Sequence, residues 1–362
     1  MNIVVSAASL RMGGAVTIYN QFVTHLQEEI GKNHYFIFVN KVLQRPSISG
    51  VRYYEIDIES RKRRNWFDNT GCKEILGKEG FVPDVVVSLQ NTGVKSYVNS
   101  SQLVYYHQPL PFFKQKWNPF KKDELSKFLY KHFYLWFVKR SIGPKTKFVV
   151  QTKFIKDNLV KRLGIDESSV SICFPDVNIP NAEQIKPFPF PEDQCNLIFP
   201  ALYSPHKSHK VLMDAMSILK NNGSIKNLNL YFTFSKNDAP AMDDYIIKND
   251  LSEHVHLIGR LSYQTTLTLY KGADAMLFPS TMETLGLPLI EAATFGLPIL
   301  VADVPYAREV LEGYDGASFV KAERAEDWAT SILELKGQTH RFFEKYCPKA
   351  KAGWHEFFGM IK

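Results

Sequence analysis

Cysteine is scarce in this 362-residue sequence, and the four present, Cys72, Cys173, Cys195 and Cys347, form no Cys-x-x-Cys pair. That spacing argues against both a zinc site and a disulfide framework. Long apolar runs are missing too. No window reaches the about 18 uninterrupted apolar residues of a membrane-spanning helix, so any membrane contact is expected to be peripheral. Met1 to Ala7 enters a strand-like run with neither a basic leader nor a small-residue cleavage pattern, and the expected location is the cytoplasm. The dinucleotide fingerprint Gly-x-Gly-x-x-Gly is also absent: the first strand is followed by SLRMGGAV, with Gly13 and Gly14 adjacent. A nicotinamide dehydrogenase is thereby excluded, while the glycine pair fits either close backbone approach to a ligand or a simple tight turn. No Asp-x-Asp loop stands out. Asp243 and Asp244 fall in a helical segment, and Glu55, Asp57 and Glu59 alternate along a strand as a solvated face does. Neither a metal nor a cofactor is expected.

What is present is a chain of 45% hydrophobic and 22% charged residues, long enough for two cores. Short Val, Ile and Tyr runs alternate with longer amphipathic segments throughout, the pattern of parallel strands linked by crossover helices. Strands are expected at Asn2 to Ala7, Tyr35 to Asn40, Val51 to Asp57, Asp84 to Leu89, Gln102 to His107 and Lys147 to Thr152, with helices near Ala15 to Ile30, Lys122 to Arg140 and Lys153 to Leu163. The proline-rich stretch between Asn178 and Asp193 reads as a linker. Strands then resume at Asn196 to Ala201, Leu228 to Phe234, His254 to Ile258, Ala275 to Phe278, Pro298 to Ala302 and Ala317 to Val320. The expectation is an α/β protein of two doubly wound domains, 1–180 and 190–340. A last helix from about Lys349 to Ile361, within 345–362, carries Trp354, Phe357 and Phe358 and is expected to pack back on the first domain.

The chemistry concentrates in Ala275 to Asp303, AMLFPSTMETLGLPLIEAATFGLPILVAD. Pro288 marks the first turn of a helix, which places Gly286 just before it and leaves the amides of Gly286 and Leu287 to face an anion. Glu283 and Glu291 bracket that spot. A carboxylate accepts hydrogen bonds from two neighbouring hydroxyls, which suits a sugar or ribose and not a phosphate. Two carboxylates around an amide-lined anion site fit a nucleotide sugar; a plainer role for each is to complement the helix dipole.

The stretch resembles the signature of glycosyltransferase family 4, Glu-x-x-Gly-Leu-Pro followed by a second Glu, and Arg308-Glu309-Val310 is similar to its continuation. The resemblance runs over most of 195–335; GGAVTIYN and FVVQTKFIKDNLVKRLGI are similar more weakly. It implies the GT-B fold, two Rossmann-like domains with the donor held chiefly by the second, and a retaining hexosyltransferase. By the same resemblance Glu283 and Thr284 meet the donor sugar, Gly286 and Leu287 its sugar and phosphate, and Glu291 the ribose. The family's Arg and Lys five positions apart correspond to IFPALYSPHKSHK, where Lys207 matches the lysine and Leu202 stands in the arginine's place. The charge is then left to Lys207, Lys210 or His206, with Arg260 as a further candidate to compensate. His107, closing LVYYHQPLP, is a candidate to orient the acceptor or touch the donor sugar, with a capping or core histidine as the plain alternative. Gly13 and Gly14 join the donor-side candidates.

Lys and Arg outnumber Asp and Glu by 44 to 37, and between Lys114 and Lys147 the basic residues interleave with Trp117, Phe120, Phe128, Tyr130, Phe133, Tyr134, Trp136 and Phe137. Arg61 to Arg64, RKRR, is a second cluster. An anionic membrane surface on the inner face is one partner that fits, presenting a glycan or lipid-linked glycan acceptor; aromatic core with a basic rim is the other explanation. The expected function is sugar transfer in making a bacterial surface polysaccharide such as lipopolysaccharide. A nucleotide-sugar epimerase and a non-catalytic nucleotide-sugar-binding or membrane scaffold stay open as alternatives, and no nucleic-acid module is present.

Overall fold

The computed structural model describes residues 1–11, 13–113, 116–177, 182–336, 342–346 and 353–361. Two compact units divide the chain, Met1–Asp176 with Ala350–Lys362, and Val177–Lys349. Cys347, Lys114 and the Lys349 start of the final helix lie outside the described residues. The other three cysteines are buried thiols.

The first unit is built on seven parallel strands: β1 (Asn2–Ser6), β2 (His34–Val39), β3 (Val51–Glu55), β4 (Val85–Ser88), β5 (Ser101–Tyr106), β6 (Thr146–Val150) and β7 (Val170–Ile172), in the order β3-β2-β1-β4-β5-β6-β7. The second has six: β8 (Cys195–Phe199), β9 (Leu228–Phe232), β10 (Val255–Leu257), β11 (Ala275–Phe278), β12 (Ile299–Ala302) and β13 (Ala317–Val320), ordered β10-β9-β8-β11-β12-β13 and again parallel. The central strands are apolar on both faces because helices cover both. In each sheet the chain direction of strand addition reverses once, between β1 and β4 and between β8 and β11. Ligands of such sheets bind beyond the strand ends at that reversal.

Helix Gly14–Glu29 shows how sequence sets packing. Ile18, Tyr19, Phe22, Val23 and Leu26 recur at helical spacing and are all buried. Against this helix lies Trp354–Gly359, whose Trp354, Phe357 and Phe358 join the same core; the Phe22 and Phe358 rings stack at 5.2 Å, and the Trp354 indole donates to Gln21 Oε1 at 2.9 Å. Burying three such side chains is worth about 1.5–3 kcal/mol each.

Three features go beyond what the sequence announces. The strand β7 has no apolar run to announce it, being only Val-Ser-Ile with one buried residue. Much of the proline-rich linker is laid onto the second unit: the Phe188 amide donates to the Thr268 carbonyl at 2.9 Å, and Phe190 packs on Tyr231 with ring centroids 4.8 Å apart; its 178–181 portion lies outside the described residues. Of the RKRR cluster, Arg61, Lys62 and Arg63 are exposed and the fourth residue is not. The cluster opens helix Arg61–Trp66, and Arg64 is drawn inward to Asp68 (2.6 Å), Ser9 (2.6 Å), Gln90 (3.1 Å) and Thr92 (2.8 Å).

Candidate active site at the strand reversal of the second unit

Beyond β8 and β11, the two strands flanking the reversal, the chain brings together residues 76 positions apart. Lys207 ends the short turn Pro205–Lys207 that follows β8, and Glu283 sits in the loop after β11. The Lys207 ammonium donates to Glu283 Oε1 at 2.5 Å, with the two side chains only 21% and 17% exposed. The same oxygen accepts from Ser280 Oγ at 2.8 Å, and the lysine nitrogen lies 5.8 Å over the Phe278 ring. Ser280 is held in turn by Tyr306, whose hydroxyl donates to the Ser280 carbonyl at 2.6 Å from helix Pro305–Val310 after β12.

The helix Leu287–Thr294 begins at Gly286, which takes a left-handed conformation (φ 75°, ψ 56°) that favours glycine. A Cβ there would meet Leu289 Cδ1 at 3.2 Å and Tyr306 Cε2 at 3.3 Å. No side chain caps this helix. Among the described residues, no carbonyl or side chain accepts from the amides of Gly286 and Leu287. Those donors and the helix dipole together suit an anion.

Glu291 projects from the second turn, and its Oε2 accepts from the Tyr270 hydroxyl at 3.0 Å. Burial pushes the Glu291 carboxyl above the usual carboxylate range, partly offset by that hydrogen bond. Burial and the nearby Glu291 charge drive Tyr270 far above its ordinary value, so it stays a donor.

Other candidates are placed differently. Lys210 is bound to both oxygens of Asp214 at 2.7 Å on its own helix, and Arg260 pairs with Asp238 at 2.7 Å after β10. Leu202 is exposed, and His206 Nδ1 lies 2.7 Å from Ser204 Oγ. Thr284 is half-buried in the Glu283 loop. His107, Gly13 and Gly14 belong to the first unit. His107 follows β5 with its amide bonded to Asn91 Oδ1 (2.5 Å), and its enclosed Nε2 has no partner among the described residues. Desolvation lowers the imidazole to about 4, so it is neutral near pH 7. Gly13 has φ 58° and precedes the helix that starts at Gly14; a Cβ on either meets nothing within 4 Å. The carboxylates Glu55, Asp57 and Glu59 pair with Arg45, Arg63 and Arg11, and the last two lie past the end of β3. Asp243 and Asp244 lie on helix Pro240–Lys248. No group of three His, Cys, Asp or Glu side chains that could hold a metal ion occurs among the described residues.

Sequence reasoning missed Ser280, Tyr270 and Tyr306. Ser280 lies within the informative stretch, three residues before Glu283, and was readable as a local partner. The two tyrosines sit on other helices and read as ordinary core, because nothing local says where a buried hydroxyl finds its acceptor.

Residues 180–345 match the family model described as Glycosyl transferases group 1. Among curated proteins, the O-antigen chain mannosyltransferase RfbU of Salmonella typhimurium is 25% identical over 212 residues, covering 58% of this chain and 56% of that protein. The chain spans about half the length of the curated relatives it matches. Among solved structures, WaaG, a glycosyltransferase involved in lipopolysaccharide biosynthesis, superposes with a TM-score of 0.65 at 15% identity, over 93% of this chain and 91% of that one. HepE of Anabaena, in complex with UDP and glucose, gives 0.62 at 13% identity over 93% and 90%. The chain therefore has the GT-B fold, and its second unit carries the stretch similar to the Glycosyl transferases group 1 family.

Proposed function

We propose that this protein is a retaining glycosyltransferase that moves a hexose from a nucleotide sugar to a glycan or lipid-linked glycan in bacterial surface polysaccharide synthesis. The observation that carries the reading is the meeting of Glu283 and Lys207 at 2.5 Å beside a helix start with unclaimed amides, at the strand reversal. In this proposal Glu283 holds hydroxyls of the donor sugar, Glu291 holds the ribose, and the Gly286 and Leu287 amides with Lys207 hold the diphosphate. As the bond from the sugar carbon to phosphate oxygen breaks, charge grows on the departing diphosphate, and fixed donors stabilise it best there. The acceptor oxygen bonds to the same face of that carbon, and its proton passes to the departing phosphate. The similarity to an O-antigen mannosyltransferase and to WaaG supports the polysaccharide setting, and HepE with UDP and glucose supports the donor class. The acceptor is reached with the protein attached peripherally to the inner face of the cell membrane.

Glu283→Ala tests the assignment. Transfer from a UDP, GDP or TDP sugar should fall by at least about 100-fold in a variant that still unfolds in one cooperative transition, its stability lowered only by the about 1–3 kcal/mol that loss of the ion pair costs; unchanged turnover overturns it. The anomeric configuration of the product, read by NMR, decides retention. A donor altered in the absence of acceptor points to an epimerase instead, and donor binding without turnover points to a scaffold.

A further inference from the structure

Ahead of β8 the second unit contains the run Pro187-Phe188-Pro189-Phe190-Pro191. Each proline fixes its own φ and confines the residue before it to extended backbone, so this strap is stiff. Its two phenylalanines are half-buried and its three prolines exposed. Only Phe188 and Phe190 have an amide N–H to give, and both are used: Phe188 donates to the Thr268 carbonyl at 2.9 Å and Phe190 to the Phe188 carbonyl at 2.8 Å. The two rings lie 4.7 Å apart. At the far end, buried Asn196 donates its side-chain amide to the carbonyls of Pro191 and Gln194, both at 3.1 Å, while its backbone amide bonds Asp274 Oδ2 at 2.8 Å.

The strap lies on helix Tyr263–Gly272, which carries Thr268. Gly272 ends that helix outside the left-handed region, where alanine would suit a helix better. A Cβ there would meet the Phe188 carbonyl oxygen at 2.7 Å and its nitrogen at 2.9 Å, so the glycine is what lets the strap's main chain approach. Thr268 and Gly272, four positions apart, share one face. Tyr270 stands about 200° round the helix from Thr268, and on that other side its hydroxyl reaches Glu291. Tyr263 shares the Tyr270 face, and burial and the Glu291 charge push it up to about 12. The helix of Glu291 itself, Leu287–Thr294, carries no other titratable side chain.

We infer that strap 187–191 is a positioning element for Glu291: seated on Thr268 and Gly272, it fixes the helix from which Tyr270 reaches that carboxylate and keeps it aimed at the donor's ribose. A strap with locked φ angles takes up little slack by bending, so a displacement along it is passed to the helix. Linkage then runs both ways. Ribose held by Glu291 favours the seated strap, and an unseated strap weakens the donor. The inference rests on the reading of Glu291 as the ribose acceptor and adds what holds that acceptor in place.

Calorimetric titration of the full chain with UDP and with GDP at several pH values tests it. Gly272→Ala, which lifts the strap from the helix side, and Phe190→Ala, which loosens it from its own side, should each weaken nucleotide binding about three- to tenfold and move its acid limb to higher pH. Phe190→Leu, which keeps most of the apolar contact, should behave as the parent. In a Tyr270→Phe background neither substitution should weaken binding further, because both act through that hydroxyl. Equal weakening with and without the hydroxyl, an unmoved acid limb, or parental binding by both variants makes the strap mere packing and overturns the inference. Hydrogen exchange needs no substitution: saturating nucleotide should slow the Phe188 amide of the parent at least about threefold, and equal exchange with and without nucleotide overturns the inference too. Glu291→Gln separates the two levels. If it binds nucleotide as the parent does, the ribose reading fails and the inference with it; if it weakens binding while the strap variants do not, the inference alone fails.

Discussion

Tyr270 and Glu291, 21 positions apart on neighbouring helices, share a hydrogen bond of 3.0 Å in which the phenol donates and the carboxylate accepts. The bond favours the ionised acid that burial disfavours. In the proposed function Glu291 would accept from two ribose hydroxyls, which requires its ionised form. Tyr270→Phe removes the donor, so the Glu291 carboxyl should move further up. The acid limb of donor affinity, in which binding weakens as pH falls, should then shift to higher pH in the variant, as calorimetric titration of a UDP sugar at several pH values would read. An unchanged limb would separate Glu291 from donor binding.

Lys207 and Glu283 neutralise one another where little solvent reaches either. Removing one partner leaves a desolvated charge behind, so Lys207→Ala or Glu283→Ala should each cost about 1–3 kcal/mol of stability. The double substitution should cost less than the sum, with a coupling of about 0.5–3 kcal/mol in a denaturation cycle. Strict additivity would mean that the contact contributes nothing.

Gly286→Ala places a methyl on left-handed backbone, a strain of about 1–2 kcal/mol, and presses it on Leu289 and Tyr306. The thermal midpoint should drop by about 2–8 °C. Because the same backbone aims the Gly286 and Leu287 amides, stabilisation by a UDP sugar should shrink more than the midpoint does.

His209 is buried beside Phe199, Tyr203, Phe232 and Phe234, and desolvation lowers it to about 3. Its native form binds fewer protons than the unfolded chain, so the stability it confers is present above the unfolded value of about 6.5 and is lost as pH falls toward 3. His209→Phe should flatten the fall in urea stability between those values. A slope equal to the parent's would show that other groups dominate.

Most of the fold was legible because parallel strands buried on both faces spell themselves as runs such as Val85-Val86-Val87 and Met276-Leu277-Phe278. The helix start at Gly286 was legible as well, since a glycine before Leu-Pro has few other uses. The inward turn of Arg64 was not. Four arginines and lysines in a row look solvated, and only the meeting of the β1 and β4 ends supplies Ser9, Gln90 and Thr92 as acceptors. Tyr270 escaped for the same reason: its acceptor lies across a helix pair, which spacing along one chain does not encode.

The aromatic helix Trp354–Gly359 completes a core whose other members are almost all made before residue 176. During synthesis the first unit must therefore wait, its Phe22 surface open, until a whole second domain has emerged from the ribosome. A ribosome that stalls ahead of Trp354 would release a chain with one finished unit and one sticky unit, a substrate for chaperones and proteases for want of this one short helix.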